Sequence, residues 1–167
     1  MSPIPAPAAD GALVEHALTT EVRSRAIRLL AGREHSRLEL SRKLAARDYP
    51  ADVIETVLAG LERDGLLDEA RLVAAYVAGR LAKGFGPLRI RLELREKGLP
   101  DDLVEPHVDL GDKHCMALLR TAHDRRFGAE APIDARDRAK RGRFLEYRGF
   151  PPRLIARLLD SDDEAFE

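Results

Sequence analysis

One turn phrase occurs three times in this chain and restricts the fold more than any other feature. It reads "RDYP" at Arg47–Pro50, "KGLP" at Lys97–Pro100 and "RGFP" at Arg148–Pro151. A basic residue is followed by Asp48, Gly98 or Gly149, then by Tyr49, Leu99 or Phe150, then by proline. Glycine and aspartate tolerate the left-handed backbone that stops a helix. The apolar residue just beyond packs back on the last turn, as in a Schellman motif. Proline prevents continuation and starts the next helix.

The flanks repeat as well. Leu44, Leu94 and Leu145 precede the turn at the same distance, and two apolar pairs follow it. These are Val53–Ile54 with Val57–Leu58, Leu103–Val104 with His107–Val108, and Leu154–Ile155 with Leu158–Leu159. Each repeat of about 50 residues therefore reads as three helices. One such unit has too little apolar surface to fold alone, and stacking supplies a shared core. The expected fold is all-α, an elongated tandem array of three three-helix repeats. Its segments are a disordered Pro/Ala-rich tail at 1–19, repeats at 20–67, 68–111 and 112–160, and an acidic frayed tail at 161–167.

Local signals set the helix ends. Thr20 is placed to cap a first helix that runs to Gly32. "SRLE" at 36–39 is a capping box, and its helix should end near Asp48. Asp68 can cap the fourth helix. Gly65 and Gly84 are placed to end helices, and Gly86–Pro87 to begin one. Two residues strain the pattern. Pro106 should shorten or kink its helix, and Gly142 costs about 1 kcal/mol against alanine inside another.

Chemistry is sparse. The five histidines and the single Cys115 make no zinc-spaced pattern, and Cys115 reads as a structural thiol in "CMALL". "GFG" at 84–86 is followed by proline, so it reads as a helix boundary and not a phosphate loop. No catalytic motif and no cofactor are expected. The start "MSPIPAPAADGA" lacks a signal peptide's basic and apolar regions. No run approaches the roughly 20 apolar residues of a membrane span. A soluble cytoplasmic protein follows, and a monomer is the simplest reading of a repeat array.

The formal net charge of −1 hides segregation. The second helix of each repeat is basic, while the third helices of the first two repeats are acidic at Asp52, Glu55, Asp101, Asp102 and Glu105. Ion pairs between neighbouring helices are one reading, each worth about 0–1 kcal/mol. The other is a charged surface that docks on a polymer or a protein assembly. Base stacking in single strands usually needs aromatic platforms, and aromatics make up only 5% here. Backbone contacts through arginines would be salt-dependent.

The stretches "AIRLLAGREHSRLELSRKL" (26–44), "VLAGLERDGLLDEARLVAAYVAGRLAKGFGPLRIRLELREKGL" (57–99) and "KRGRFLEYRGFPPRLI" (140–155) resemble the RecX family of bacterial regulators. The resemblance implies a non-enzymatic protein that binds the RecA recombinase and its filament on single-stranded DNA. It implies inhibition of the ATPase, of strand exchange and of filament extension, which restrains recombination and the SOS response. Some family members also bind DNA, single- or double-stranded. Two departures are Leu72, where the family pattern has an aromatic residue, and Pro106. Residues expected to meet the filament or DNA are Arg89, Arg91, Arg95, Lys97, Lys140, Arg141, Arg143 and Arg148. A DNA-binding helical module that acts without a recombinase is the alternative, and a scaffold for an unrelated protein is a third reading.

Overall fold

Every regular element in the computed structural model, which describes residues 8–160, is an α-helix. The helices are α1 (Ala8–Gly32), α2 (Arg37–Ala45), α3 (Ala51–Arg63), α4 (Glu69–Ala82), α5 (Pro87–Glu96), α6 (Asp101–Val108), α7 (Gly111–Phe127), α8 (Ala135–Arg148) and α9 (Pro152–Asp160). They form three-helix domains in tandem. By their internal contacts they divide into two units, one up to Leu72 and one from Val73.

In the first unit, α1 and α2 pack against α3. Helical spacing puts Val22 and Ala26 of α1, Leu40 and Leu44 of α2, and Val53, Ile54, Val57, Leu58 and Leu61 of α3 into one buried cluster. The capping box forms as the sequence requires. The Glu39 amide donates to the Ser36 hydroxyl at 3.1 Å, and the Ser36 amide donates to the Glu39 carboxylate at 3.0 Å. His35 lies beneath it, 2% exposed. Lys43 Nζ has only protons to offer, so it donates to His35 Nε2 at 2.9 Å. His35 Nδ1 therefore carries the ring proton and donates to the Arg33 carbonyl at 3.0 Å. Burial pushes the His35 pKa below its ordinary value.

The first helix differs from expectation. It begins at Ala8, so Thr20 is interior, and its hydroxyl donates to the His16 carbonyl at 2.9 Å instead of capping. The alanine-rich sequence before Thr20 has high helix propensity and lets the helix run out past its packed face. Residues 8–19, expected as part of a disordered tail, are thus its opening turns. The remainder of that tail, 1–7, and the acidic tail 161–167 lie outside the described residues.

In the second unit, Val73 and Val77 of α4, Ile90 and Leu94 of α5, Leu99, and Val104 and Val108 of α6 are buried. Cys115 and Leu119 of α7, Leu145 of α8, Phe150, and Leu154, Ile155, Leu158 and Leu159 of α9 form another buried cluster. Asp48, Gly98 and Gly149 of the turn phrase all have positive φ, at 61°, 79° and 90°. Asp48 is the one non-glycine residue to do so among those described. Pro106 sits inside α6, which is only eight residues long. A Cβ at Gly142 would meet Leu159 Cδ1 at an ordinary 3.8 Å, so no steric demand requires glycine there.

Candidate partner interface

The opening turn of α5 is built against the end of α8. Pro87 at the first helical position has no amide proton, and Gly86 is its N-cap. The Gly86 amide donates to the Arg148 carbonyl at 2.7 Å, and the Leu88 amide donates to the Gly149 carbonyl at 3.0 Å. Unpaired donors of one helix start thus meet unpaired acceptors of another helix end. The approach needs glycine on both sides. A Cβ on Gly86 would overlap the Gly149 carbonyl, and one on Gly149 would overlap the Arg89 backbone.

Cations and aromatic rings alternate around this joint. The α4 helix ends at Ala82, and Gly84 follows with φ +78°. Arg125 of α7 donates to the Ala82 carbonyl at 3.2 Å, and Arg148 donates to the Lys83 carbonyl at 2.8 Å. Phe85 is flanked by the guanidinium carbons of Arg80 at 3.5 Å and Arg148 at 4.6 Å from its centroid. Phe127 meets Phe144 edge-on at 5.3 Å and has Arg126 at 5.6 Å and Lys140 at 6.0 Å. Such contacts bury arginine stems while the charges still face water.

The arginines expected at a partner surface fall into distinct environments. Arg89 donates to Glu93 at 2.9 Å and lies 5.3 Å from the Tyr147 ring. Glu93 also accepts from Tyr76 at 2.8 Å and Arg80 Nε at 2.8 Å. Burial opposes ionisation of Glu93, yet Arg89, Arg80 and Tyr76 together hold its carboxyl below the usual range. Burial and the bond to Glu93 push the Tyr76 phenol up to about 12. Lys97 lies 5.4 Å from the same Tyr76 ring. Arg91 forms a bidentate pair with Glu105 at 2.6 and 2.8 Å, and Arg95 forms one with Asp101 at 2.7 and 2.8 Å. Those bonds hold the Glu105 and Asp101 carboxyls below their ordinary values. These are the ion pairs between second and third helices that the alternating charge suggested.

Arg141 is only 6% exposed. It donates to Asp137 at 2.9 Å, to His123 Nε2 at 3.1 Å and to the Glu130 carbonyl at 2.6 Å. Its place is inside the repeat, tying the loop after α7 to α8. Arg143 is exposed and shares an open groove of 490 Å³ with Lys140, Arg136 and the carboxylates Asp134 and Asp137. Arg148 lines a separate cleft of 130 Å³ with Lys83, Arg125, Arg126, Gly84 and Phe144. Sequence reasoning passed over Arg125 and Arg126. Their signal was position: cations in the last turn of α7, where a helix end favours positive charge.

Comparison with known proteins agrees with this architecture. Residues 23–61 match the first three-helix domain of RecX and residues 68–105 match the second. A regulatory protein RecX of Pseudomonas fluorescens strain SBW25 is 45% identical over 146 residues, covering 85% of this chain and 92% of that one. One from Halorhodospira halophila is 40% identical over 151 residues, covering 89% and 94%. A crystal structure of regulatory protein RecX superposes with a TM-score of 0.79 at 19% identity, covering 96% of this chain and 80% of that one. The crystal structure of RecX from Lactobacillus salivarius gives 0.74 at 22% identity, covering 89% and 99%. The likeness is therefore one of sequence to the first two and of fold to the last two, and the chain belongs to the RecX family of regulatory proteins.

Proposed function

We propose that this regulator binds the RecA recombinase and its filament on single-stranded DNA, and that it lowers ATPase activity, strand exchange and filament extension. Recombination and the SOS response are thereby restrained. It acts without chemistry or cofactor, as a cytoplasmic monomer. The observation that carries this reading is 45% identity to a RecX regulator across most of both chains. The contact surface is assigned to the second unit, through Arg89, Arg91, Arg95, Lys97, Lys140, Arg141, Arg143 and Arg148. Within that set, exposure favours Arg143 and Lys140 as direct contacts. Burial favours a supporting role for Arg141. Arg91 and Arg95 would have to exchange their carboxylates for a partner's groups.

The test is titration of the full chain into RecA on single-stranded DNA. ATP turnover should fall at or below stoichiometric amounts, and filaments should shorten. Unchanged turnover and length across a wide titration would remove the proposal. A module that binds DNA without a recombinase is the second reading, favoured by the exposed cations of the second unit. It predicts the same DNA affinity with and without RecA, falling steeply with salt.

A further inference from the structure

We infer that Lys83, Arg125, Arg126 and Arg148 form a binding site for a phosphate group in the cleft between the end of α4, α7 and α8. This deepens the reading above by naming a ligand chemistry and a cleft that the expected contact residues, Arg148 apart, did not include. Its 130 Å³ suits one small anion. Four cations line it and, among the described residues, no carboxylate does.

The contrast with the rest of the charged surface is the core of the argument. Arg37, Arg71, Arg80, Arg91, Arg95 and Arg153 are each met by a carboxylate. In the cleft, Arg125 and Arg148 are held instead by the carbonyls of Ala82 and Lys83. Those two bonds fix the guanidiniums without neutralising them. Among the described residues Arg126 meets the Phe127 ring and no carboxylate. Arg148 is further held between the Phe85 and Phe144 rings. Positive groups that are pre-positioned and, among the described residues, lack a counter-charge attract an anion without reorganising. Phosphate is favoured over a single carboxylate because its tetrahedral oxygens can accept from several donors converging from different helices. The nearest acid in sequence, Asp124, instead contacts His123 Nδ1 at 2.9 Å.

The experiment uses the full chain with no recombinase, so its result is independent of filament inhibition. Amide shifts of Lys83, Gly84, Arg125 and Arg126 are followed by NMR during titration with sodium phosphate at constant ionic strength. Anisotropy of a labelled oligo-dT strand is measured in parallel across salt concentrations, with poly-glutamate as competitor. Lys83→Gln with Arg126→Gln is the test variant, since neither side chain holds a helix end. Arg120→Gln, exposed on α7, is the control.

Phosphate should shift those four amides, and the double variant should abolish the shifts. If oligo-dT also binds, the double variant should weaken it by about tenfold and lower the salt slope by about 1.4, while the control changes it less than twofold. Shifts with phosphate but no strand binding would support the site and make a free phosphate compound its source. Binding of the strand with these effects would make a phosphodiester the source. Silent amides, parent-like behaviour of the double variant, or equal competition by poly-glutamate would each overturn the inference.

Discussion

The joint between α5 and α8 can be tested by three alanine substitutions in one unit. Gly149→Ala meets two penalties. Its φ of +90° is unfavourable for an L side chain, and its Cβ would overlap the Arg89 backbone. Gly86→Ala meets only the second kind: φ is −91°, but the Cβ would overlap the Gly149 carbonyl. Gly111→Ala meets only the first: φ is +67°, with nothing within 4 Å of the Cβ. Left-handed backbone alone costs about 1–2 kcal/mol, so Gly111→Ala should lose that much. Relief of the overlap must separate α5 from α8 and weaken the bonds from Gly86 to Arg148 and from Leu88 to Gly149. Two hydrogen bonds at about 1 kcal/mol each give roughly 2 kcal/mol for Gly86→Ala. Gly149→Ala combines both and should lose about 3–4 kcal/mol. Urea unfolding followed by circular dichroism at 222 nm measures this. With a slope of about 2 kcal/mol/M, midpoints should fall by about 0.5–1 M for Gly111→Ala and by 1.5–2 M for Gly149→Ala. A Gly149→Ala midpoint no lower than that of Gly111→Ala would refute the claim that close backbone approach selects this glycine.

Arg141→Met should cost about 3 kcal/mol in the same assay, because Asp137 and the Glu130 carbonyl lose a shared buried donor, and amide exchange over residues 129–133 should quicken. Arg95→Gln should leave the urea midpoint nearly unchanged, since both it and Asp101 are more than half exposed and their pair is screened by solvent. Loss of filament inhibition in that variant would then report on a contact and not on stability. His35 has a folded pKa below its unfolded value of 6.5, so the unfolded chain binds the extra proton. Stability should be unaffected by this group well above pH 6.5 and should fall as pH drops from there toward the folded value, by at most about 1.4 kcal/mol per unit. His35→Gln should flatten that part of the urea-midpoint profile. Burial pushes the Cys115 thiol up, so a thiol reagent should label it in the native protein far more slowly than in urea.

The helix grammar was legible because it is local. A left-handed residue, an apolar lock and a proline act within four positions, so "RDYP", "KGLP" and "RGFP" could be read without any tertiary knowledge. The start of α1 was misread for a related reason. A hydroxyl that can cap can also donate back to its own helix, and only the residues before Thr20 decide between them. The site was less legible than the fold. Sequence showed that α5 and α8 are basic, but not which arginines have a carboxylate opposite. Arg91 and Arg95 belong to pairs with Glu105 and Asp101, and Arg141 is interior. The cleft at Arg125 and Arg148 depends on where α4 ends relative to α7 and α8, which is information of long range in the chain.

The seating of α5 on α8 also bears on the order in which the chain becomes complete. The first unit's core closes with Leu67, from residues that are all near one another in sequence. The amides of Gly86 and Leu88 must wait for carbonyls made about sixty residues later. During synthesis the start of α5 therefore emerges with its hydrogen-bonding partners still unmade. Contacts of such separation slow folding. The second and third repeats should consequently mature together.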